Sequence, residues 1–280
     1  TELFPISSLG HGVLVPALLG WHNLVSSQSA SESFFLAFLV GLHVGTALAL
    51  LVYYRATWRR LFAGLFRQIG ATRERGLGSL ARLDAESTDP QYRLLVLLVI
   101  ATIPVGLTGL VLEHKLRVLF AKPLAAAIFL TINGVILLVG ERLRRASGAH
   151  AAHRRLADLS PGAAFLIGCS QIGALFAGIS RSGISMVAGL TSGMDHEDSA
   201  NFSFLLATPV ILAAGVLKLP DLMGSLGDGV RTQTLVGALF AAVAAYLSVR
   251  FLVRYFTTRT LTPFGVYSLL AGLACVIRFA

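Results

Sequence analysis

Gly178-Ile179-Ser180-Arg181-Ser182-Gly183-Ile184-Ser185 is the stretch on which the fold turns. It lies inside residues 163–193, an apolar run interrupted by Gly, Ser and a single Arg. A hydrocarbon core about 30 Å thick calls for roughly 20 apolar residues in one helix. This run is not a clean span, and broken backbone at membrane depth is tolerated only where it is buried in protein or lines a cavity.

Working outward, six uninterrupted runs qualify or nearly qualify as spans: residues 33–54, 94–112, 123–140, 203–219, 234–249 and 263–279. A second broken run covers residues 2–20. Between the spans, residues 55–93 carry eight Arg, 141–162 five and 250–262 three. Residues 113–122 carry three basic groups, and 218–233 two, balanced by Asp221 and Asp228. Placing the first three segments inside and the other two outside satisfies the positive-inside rule. Segment 55–93 then reads as a cytoplasmic loop with amphipathic surface helices. Parity puts Gly162 and Ser199 on one side, so residues 163–193 enter and leave through the same face as a re-entrant hairpin. The acidic residues Asp195, Glu197 and Asp198 fall on that cytoplasmic side, where acids weigh little.

Composition excludes the other classes. Of 280 residues 55% are hydrophobic and 13% charged, about half the charged share of a soluble domain. Cys169 and Cys275 are the only cysteines and both sit in apolar runs, where they read as small hydrophobes rather than redox or metal groups. The net charge of +9 comes from 20 Arg and 3 Lys against 14 acids. Most of the Arg flank apolar runs, as membrane anchors do, so nucleic acid is not an expected partner. No cleavable signal peptide is expected.

An internal repeat sharpens the topology. Ile6-Ser7-Ser8-Leu9-Gly10 recurs as Ile179-Ser180-Arg181-Ser182-Gly183, each I-S-x-x-G, and Ser33-Phe34-Phe35-Leu36-Ala37 recurs as Ser203-Phe204-Leu205-Leu206-Ala207. Lys122-Pro123 and Thr262-Pro263 open the last span of each half. Each half is a broken hairpin followed by three spans, an odd number, so the halves lie inverted in the bilayer. The expected fold is an all-α polytopic membrane protein with six transmembrane helices and two re-entrant helical hairpins. A single domain, 1–280, would hold inverted repeats 1–145 and 160–280. Such repeats bring their broken segments together near the midplane, where the site should lie.

The polar residues of the first broken segment are Glu2, Ser7, Ser8 and His11. With a helix restarting near Ser8, Ser8 and His11 share a face at i, i+3. That suits a hydroxyl nucleophile beside an imidazole base, or a His nucleophile beside a hydroxyl donor. Read plainly, Ser7 or Ser8 is a helix cap and His11 an interfacial residue. In the second segment, the Arg181 fork matches phosphate, with Ser180, Ser182 and Ser185 adding hydroxyls. The glycines free backbone N–H groups at a helix start for an anion; the plain alternative is Arg181 snorkelling to an interface. His43, mid-span, reads as a buried, satisfied residue or a site-lining one, and Asn133 and Asn201 as interhelical hydrogen-bonding groups. His22, His114, His150, His153 and His196 fall in loops and are assigned no role.

These residues resemble a known family. Glu2-Leu3-Phe4-Pro5-Ile6-Ser7-Ser8-Leu9-Gly10-His11 looks like the first motif of the undecaprenyl-diphosphate phosphatases, the bacitracin-resistance family, and Gly178–Gly183 looks like its second. His43-Val44-Gly45-Thr46 and Ser203–Ala207 resemble further family segments. The resemblance implies a membrane fold of inverted repeats with two re-entrant hairpins. It also implies removal of the terminal phosphate from undecaprenyl diphosphate, which recycles the lipid carrier of cell-wall (peptidoglycan) synthesis and confers bacitracin resistance. Carried over by motif, Glu2 matches a catalytic Glu, Ser8 and His11 a nucleophile-or-base pair, and Arg181 the phosphate-binding Arg. Ser180, Ser182, Ser7 and Ser185 would complete the substrate-binding set. Glu2 would orient the pair or hold a divalent metal, Mg²⁺ or Ca²⁺. Ala177 stands where the family has Pro, Ser185 where it commonly has Thr, and the Glu that opens the family's first motif four residues earlier is not in this sequence. The expected setting is the bacterial inner membrane, with a polyprenyl diphosphate and the bilayer as partners and a homodimer among the assemblies allowed. A polyprenyl-phosphate transporter or flippase shares the inverted-repeat plan, and an anion-binding scaffold has composition alone behind it.

Overall fold

The computed structural model describes residues 1–21, 34–80, 83, 88–120, 122–146, 156–224 and 231–280, and among these every regular element is a helix. In chain order they are α1 (Ser8–Leu18), α2 (Phe34–Tyr53), α3 (Arg55–Arg75), α4 (Pro90–Phe120), α5 (Pro123–Ala146), α6 (Pro161–Ser170), α7 (Arg181–Thr191), α8 (His196–Met223), α9 (Arg231–Phe256) and α10 (Thr262–Phe279). Within α4, α5, α8, α9 and α10 lie five stretches long and apolar enough to cross a bilayer. A sixth is counted where α2 and α3, which meet through a 75° bend, are taken as one broken span. The structure thus holds five to six of the expected spans. Ser33, at the head of the first, lies outside the described residues, as do His22, His150 and His153.

The bend at Tyr54 has a compositional cause. Apolar α2 gives way to Arg55, Arg59 and Arg60, whose guanidinium groups stay out of hydrocarbon. The α3 helix also exposes Phe62, Phe66 and Ile69, the amphipathic make-up of a helix lying along an interface. On α9, Leu235, Leu239, Phe240, Val243, Leu247 and Phe251 are exposed, an outward face suited to lipid. One boundary differs from expectation: α4 continues to Phe120, through residues read as a loop. Hydropathy marks where a helix is apolar and not where its hydrogen bonding stops.

Residues 163–193 form no span. The α6 helix has 10 residues and α7 has 11, roughly 15 Å each at 1.5 Å per residue. A short 3₁₀ turn, Gln171–Leu175, and the break at 176–180 separate them. The Leu156 N–H donates to Asp198 Oδ2 at 2.8 Å, so the chain leaves and returns at one point, as the parity argument requires. Asp195 Oδ1 accepts from the Asp198 N–H at 2.7 Å, and Glu197 and Asp198 occupy the first turn of α8. Acids there complement the positive end of the helix, which is why this tip is acidic.

Other polar ties gather the three Arg-rich segments at the same end. Buried Glu141, near the end of α5, accepts from His196 Nε2 at 2.9 Å and from the Leu261 N–H at 3.2 Å. Tyr54 donates to Asn201 Oδ1 at 2.8 Å, and Arg93 to the Leu159 carbonyl at 2.6 Å. His196 is thus a structural residue hydrogen-bonded to Glu141 and not a free loop group.

Two close approaches set the interior. Gly41 and Gly45 let α2 lie directly on α9: a Cβ on Gly41 would run into Thr234, and one on Gly45 into the Ala238 carbonyl. This small-xxx-small spacing is how membrane helices pack without bulky side chains between them. The tips of the two broken segments also touch, for a Cβ on Gly10 would lie 2.8 Å from Gly178 Cα.

Candidate active site

The I-S-x-x-G repeat has one physical meaning in both places. Ser7 Oγ accepts from the Gly10 N–H, and Ser180 Oγ from the Gly183 N–H, each at 3.1 Å. Each serine is the N-cap of an 11-residue helix. Ser7 also accepts from the Gly178 N–H at 3.2 Å, which joins the two tips. Gly178 sits at φ 115° and Ser7 at φ 66°, left-handed backbone that costs a non-glycine residue about 1–3 kcal/mol. The strain at Ser7 is held where both helix starts converge. Asn133 of α5 braces the junction from below. Its Nδ2 donates to the Pro5 carbonyl at 3.1 Å and to Ser268 Oγ at 3.2 Å, and its Oδ1 accepts from the Ser180 N–H at 2.9 Å. That is the interhelical role expected of Asn133, and Asn201 fills the same role with Tyr54.

Glu2 is the hub. Its Oε1 accepts from Arg181 Nη2 at 2.9 Å. Its Oε2 accepts from His43 Nε2 at 3.1 Å and from the Ser8 hydroxyl. Three residues from three elements meet at one carboxylate, all partly or fully withdrawn from solvent. The first turns of α1 and α7 add two positive helix ends beside the Arg181 guanidinium, which favours an anion here.

The remaining expected site residues separate. His11 makes no bond to Ser8. Its Nδ1 lies 2.7 Å from the Ser7 carbonyl and its Nε2 2.8 Å from the Tyr267 hydroxyl, with the two rings stacked 5.8 Å apart. A carbonyl only accepts, so Nδ1 donates to Ser7. Ser182 donates to the Phe4 carbonyl at 3.3 Å and Ser185 to the Arg181 carbonyl at 2.8 Å. Both hydroxyls brace the hairpin. Two further residues join the site: Tyr267, and His43, whose mid-span position allows either a buried, satisfied residue or a site-lining one. An ionisable residue in mid-span was the signal for His43; nothing local marks Tyr267.

Two cavities flank Glu2. One of about 420 Å³ is lined by Glu2, Ser8, His11, Leu42, His43 and Ala241, and its wall is mostly apolar. The other, about 160 Å³, is lined by Glu2, Ser8, His43, Gln171, Ser180 and Arg181. Neither Ser182 nor Ser185 lines either cavity. For a metal, Glu2 offers a single carboxylate whose oxygens already hold three donors. The described residues contain no group of three His, Cys, Asp or Glu that could cage an ion.

A hydroxyl bonded to a carboxylate, a guanidinium beside it and an apolar chamber next door form a site for an anionic headgroup with an apolar tail. Comparison with known proteins covers the whole of this architecture. The family model described as bacitracin resistance protein BacA matches residues 1–274. The chain is 49% identical to undecaprenyl-diphosphatase 2 of Frankia alni, covering all of this chain and 94% of that protein. It is 50% identical to undecaprenyl-diphosphatase of Mycolicibacterium paratuberculosis, covering 100% and 93%. It is 45% identical to undecaprenyl-diphosphatase 2 of Burkholderia orbicola, covering 99% and 91%. Since the match runs through both broken segments and every span, the chain belongs to the bacitracin resistance protein BacA family.

Proposed function

We propose that this protein is a membrane phosphatase that hydrolyses undecaprenyl diphosphate to undecaprenyl phosphate and phosphate. The supporting observation is the Ser8 hydroxyl donating to Glu2, with Arg181 and His43 on the same carboxylate. The diphosphate sits against Arg181 and the starts of α1 and α7, and the prenyl chain takes the larger, apolar cavity. Arg181 has further N–H groups for a phosphate after the one on Glu2, and can grip it bidentately. Ser8 Oγ attacks the terminal phosphorus as its proton passes to Glu2. The bridging P–O bond breaks, and its electron pair leaves on undecaprenyl phosphate. Water then releases phosphate from Ser8. His43 holds Glu2 in place. His11, committed to Ser7 and Tyr267, is a positioning residue and not the attacker. Positive helix ends and a guanidinium aimed at the phosphoryl oxygens supply most of the rate, as preorganised electrostatics do.

A Mg²⁺ or Ca²⁺ ion borne by the diphosphate would take Glu2 as its protein ligand and neutralise charge on the phosphoryl oxygens. The two halves act as inverted repeats, with the Arg-rich end cytoplasmic in a bacterial inner membrane. A carrier would need only to bind, whereas a hydroxyl paired with a carboxylate is the equipment of a reaction. The test is phosphate release from undecaprenyl diphosphate by the pure protein, with and without chelator. Release by wild type and none by Ser8→Ala is expected. Binding without release would return the transporter reading.

A further inference from the structure

We propose that Leu9 is a specificity-determining residue, the apolar surface that receives the first carbons of the lipid tail where they leave the phosphates. This deepens the hydrolase reading above and rests on it. The two cavities beside Glu2 share four lining residues: Glu2, Ser8, His43 and Leu9. The first three form the polar hub. A ligand with its phosphates at that hub and its tail in the larger cavity therefore passes Leu9 at the junction.

Leu9 has little packing of its own to account for it. It is the second residue of α1, and further along that helix Val13 and Leu14 are buried in a cluster with Ala126, Ala127 and Leu130 of α5. Leu9 joins neither apolar cluster of the interior and is 39% exposed. Its exposed surface lies one residue from the Ser8 hydroxyl, and the substrate's first carbons lie one phosphate beyond the one that Ser8 attacks. A leucine offers neither donor nor acceptor, so it can only reward an apolar neighbour, by removing the surface of both from water. A sugar or nucleoside at the same place would press hydroxyls against a wall with no partner for them, and a polar group buried without a hydrogen bond is costly. Leu9 thus favours diphosphates whose first carbons are apolar over those carrying a polar group there.

The experiment compares the full chain with Leu9→Asn, similar in bulk but polar, and with Leu9→Met, which stays apolar. Phosphate release from undecaprenyl diphosphate at fixed detergent, inhibition by uridine diphosphate and the melting temperature are measured. For Leu9→Asn the expected result is a KM raised about tenfold, the worth of one or two methylenes returned to water. Its kcat should not change, as for a contact made equally in ground state and transition state, and its melting temperature should hold. Leu9→Met should stay within about twofold of wild type. Uridine diphosphate, with a polar ribose next to its phosphates, should inhibit Leu9→Asn no less than wild type. A lowered kcat at constant KM would make Leu9 part of the reacting geometry, and weaker inhibition by uridine diphosphate would make it a phosphate contact. Equal losses in Leu9→Met and Leu9→Asn would mean that shape and not apolarity matters. A lowered melting temperature with normal kinetics per folded molecule would make Leu9 a packing residue; each of these overturns the proposal. Should Leu9→Asn fail to fold, Leu9→Ala takes its place with the same readouts. An inactive wild type sinks the hydrolase reading and this proposal together, whereas an active wild type with an unaltered Leu9→Asn sinks this proposal alone.

Discussion

Replacing Arg181 by Lys keeps the charge and removes the planar fork. One guanidinium N–H is spent on Glu2 at 2.9 Å, and a bidentate phosphate grip takes two more. A lysine ammonium is a point charge with three divergent donors. It can stay with Glu2 and reach one phosphate oxygen, so one charge-assisted hydrogen bond is lost. That is about 1.5–3 kcal/mol, or roughly tenfold to a hundredfold in kcat/KM. Because Lys still neutralises Glu2, the fold should hold. Arg181→Met would instead strand a buried carboxylate, at about 3–5 kcal/mol. The assay is initial-rate phosphate release from undecaprenyl diphosphate in detergent, with melting curves for all three proteins. Arg181→Lys activity within about twofold of wild type would refute the reasoning and leave Arg181 as a simple counter-charge to Glu2.

Ser8→Ala should abolish turnover while His11→Ala leaves a measurable rate, and an acid-labile phosphohistidine trapped by rapid quench would reverse those assignments. In a chain whose two cysteines are replaced, new cysteines at Ser160 and Glu197 should label from one side of intact cells and one at Lys122 from the other. Labelling of Ser160→Cys and Glu197→Cys from opposite sides would dismantle the hairpin. Asp89 caps α4 by accepting from the Gln91 and Tyr92 N–H groups at 2.9 and 3.2 Å, and its bond from Arg67 holds the carboxyl below the ordinary aspartate range. Its contribution is therefore full above the unfolded value of about 4 and fades as pH falls through the lower folded value. Asp89→Ala should cost about 1 kcal/mol at neutral pH, and a gap that stays constant down the acid limb would contradict the cap. Gly45→Val should drive α2 off α9, costing about 1–3 kcal/mol and drawing His43 from Glu2; an unchanged melting temperature would refute that packing.

Spans, hairpin parity and the meeting of Ser8, Glu2 and Arg181 were legible because each is written in local pattern or in motif. Apolar run length places α5 at Pro123, where the helix starts. The I-S-x-x-G pairs announce two caps before any contact is known. What stayed hidden joins distant positions. His43 meets Glu2 across 41 residues and His11 meets Tyr267 across 256, and no periodicity encodes such pairs. The i, i+3 spacing placed Ser8 and His11 on one face, but the strained turn at Ser7 offers its carbonyl to the imidazole first. Gly41 and Gly45 stood in plain view as a small-xxx-small pair. Only the neighbouring α9 shows what they are for.

Glu2 and Arg181 are 179 positions apart, and that separation orders the protein's biogenesis. At about 5–20 residues per second, the ribosome makes Glu2 and Ser8 roughly ten to thirty-five seconds before Arg181. Through that interval the first half inserts with its hydroxyl and carboxylate in place but no guanidinium to gather a phosphate. On the proposed mechanism, a nascent chain would be chemically silent toward the lipids around it. A chain truncated before Arg181 would, on that mechanism, be an inert membrane segment and not a crippled hydrolase. On the same mechanism, activity would appear only when the second broken segment docks against the first, so that correct insertion and the start of the reaction would be one step.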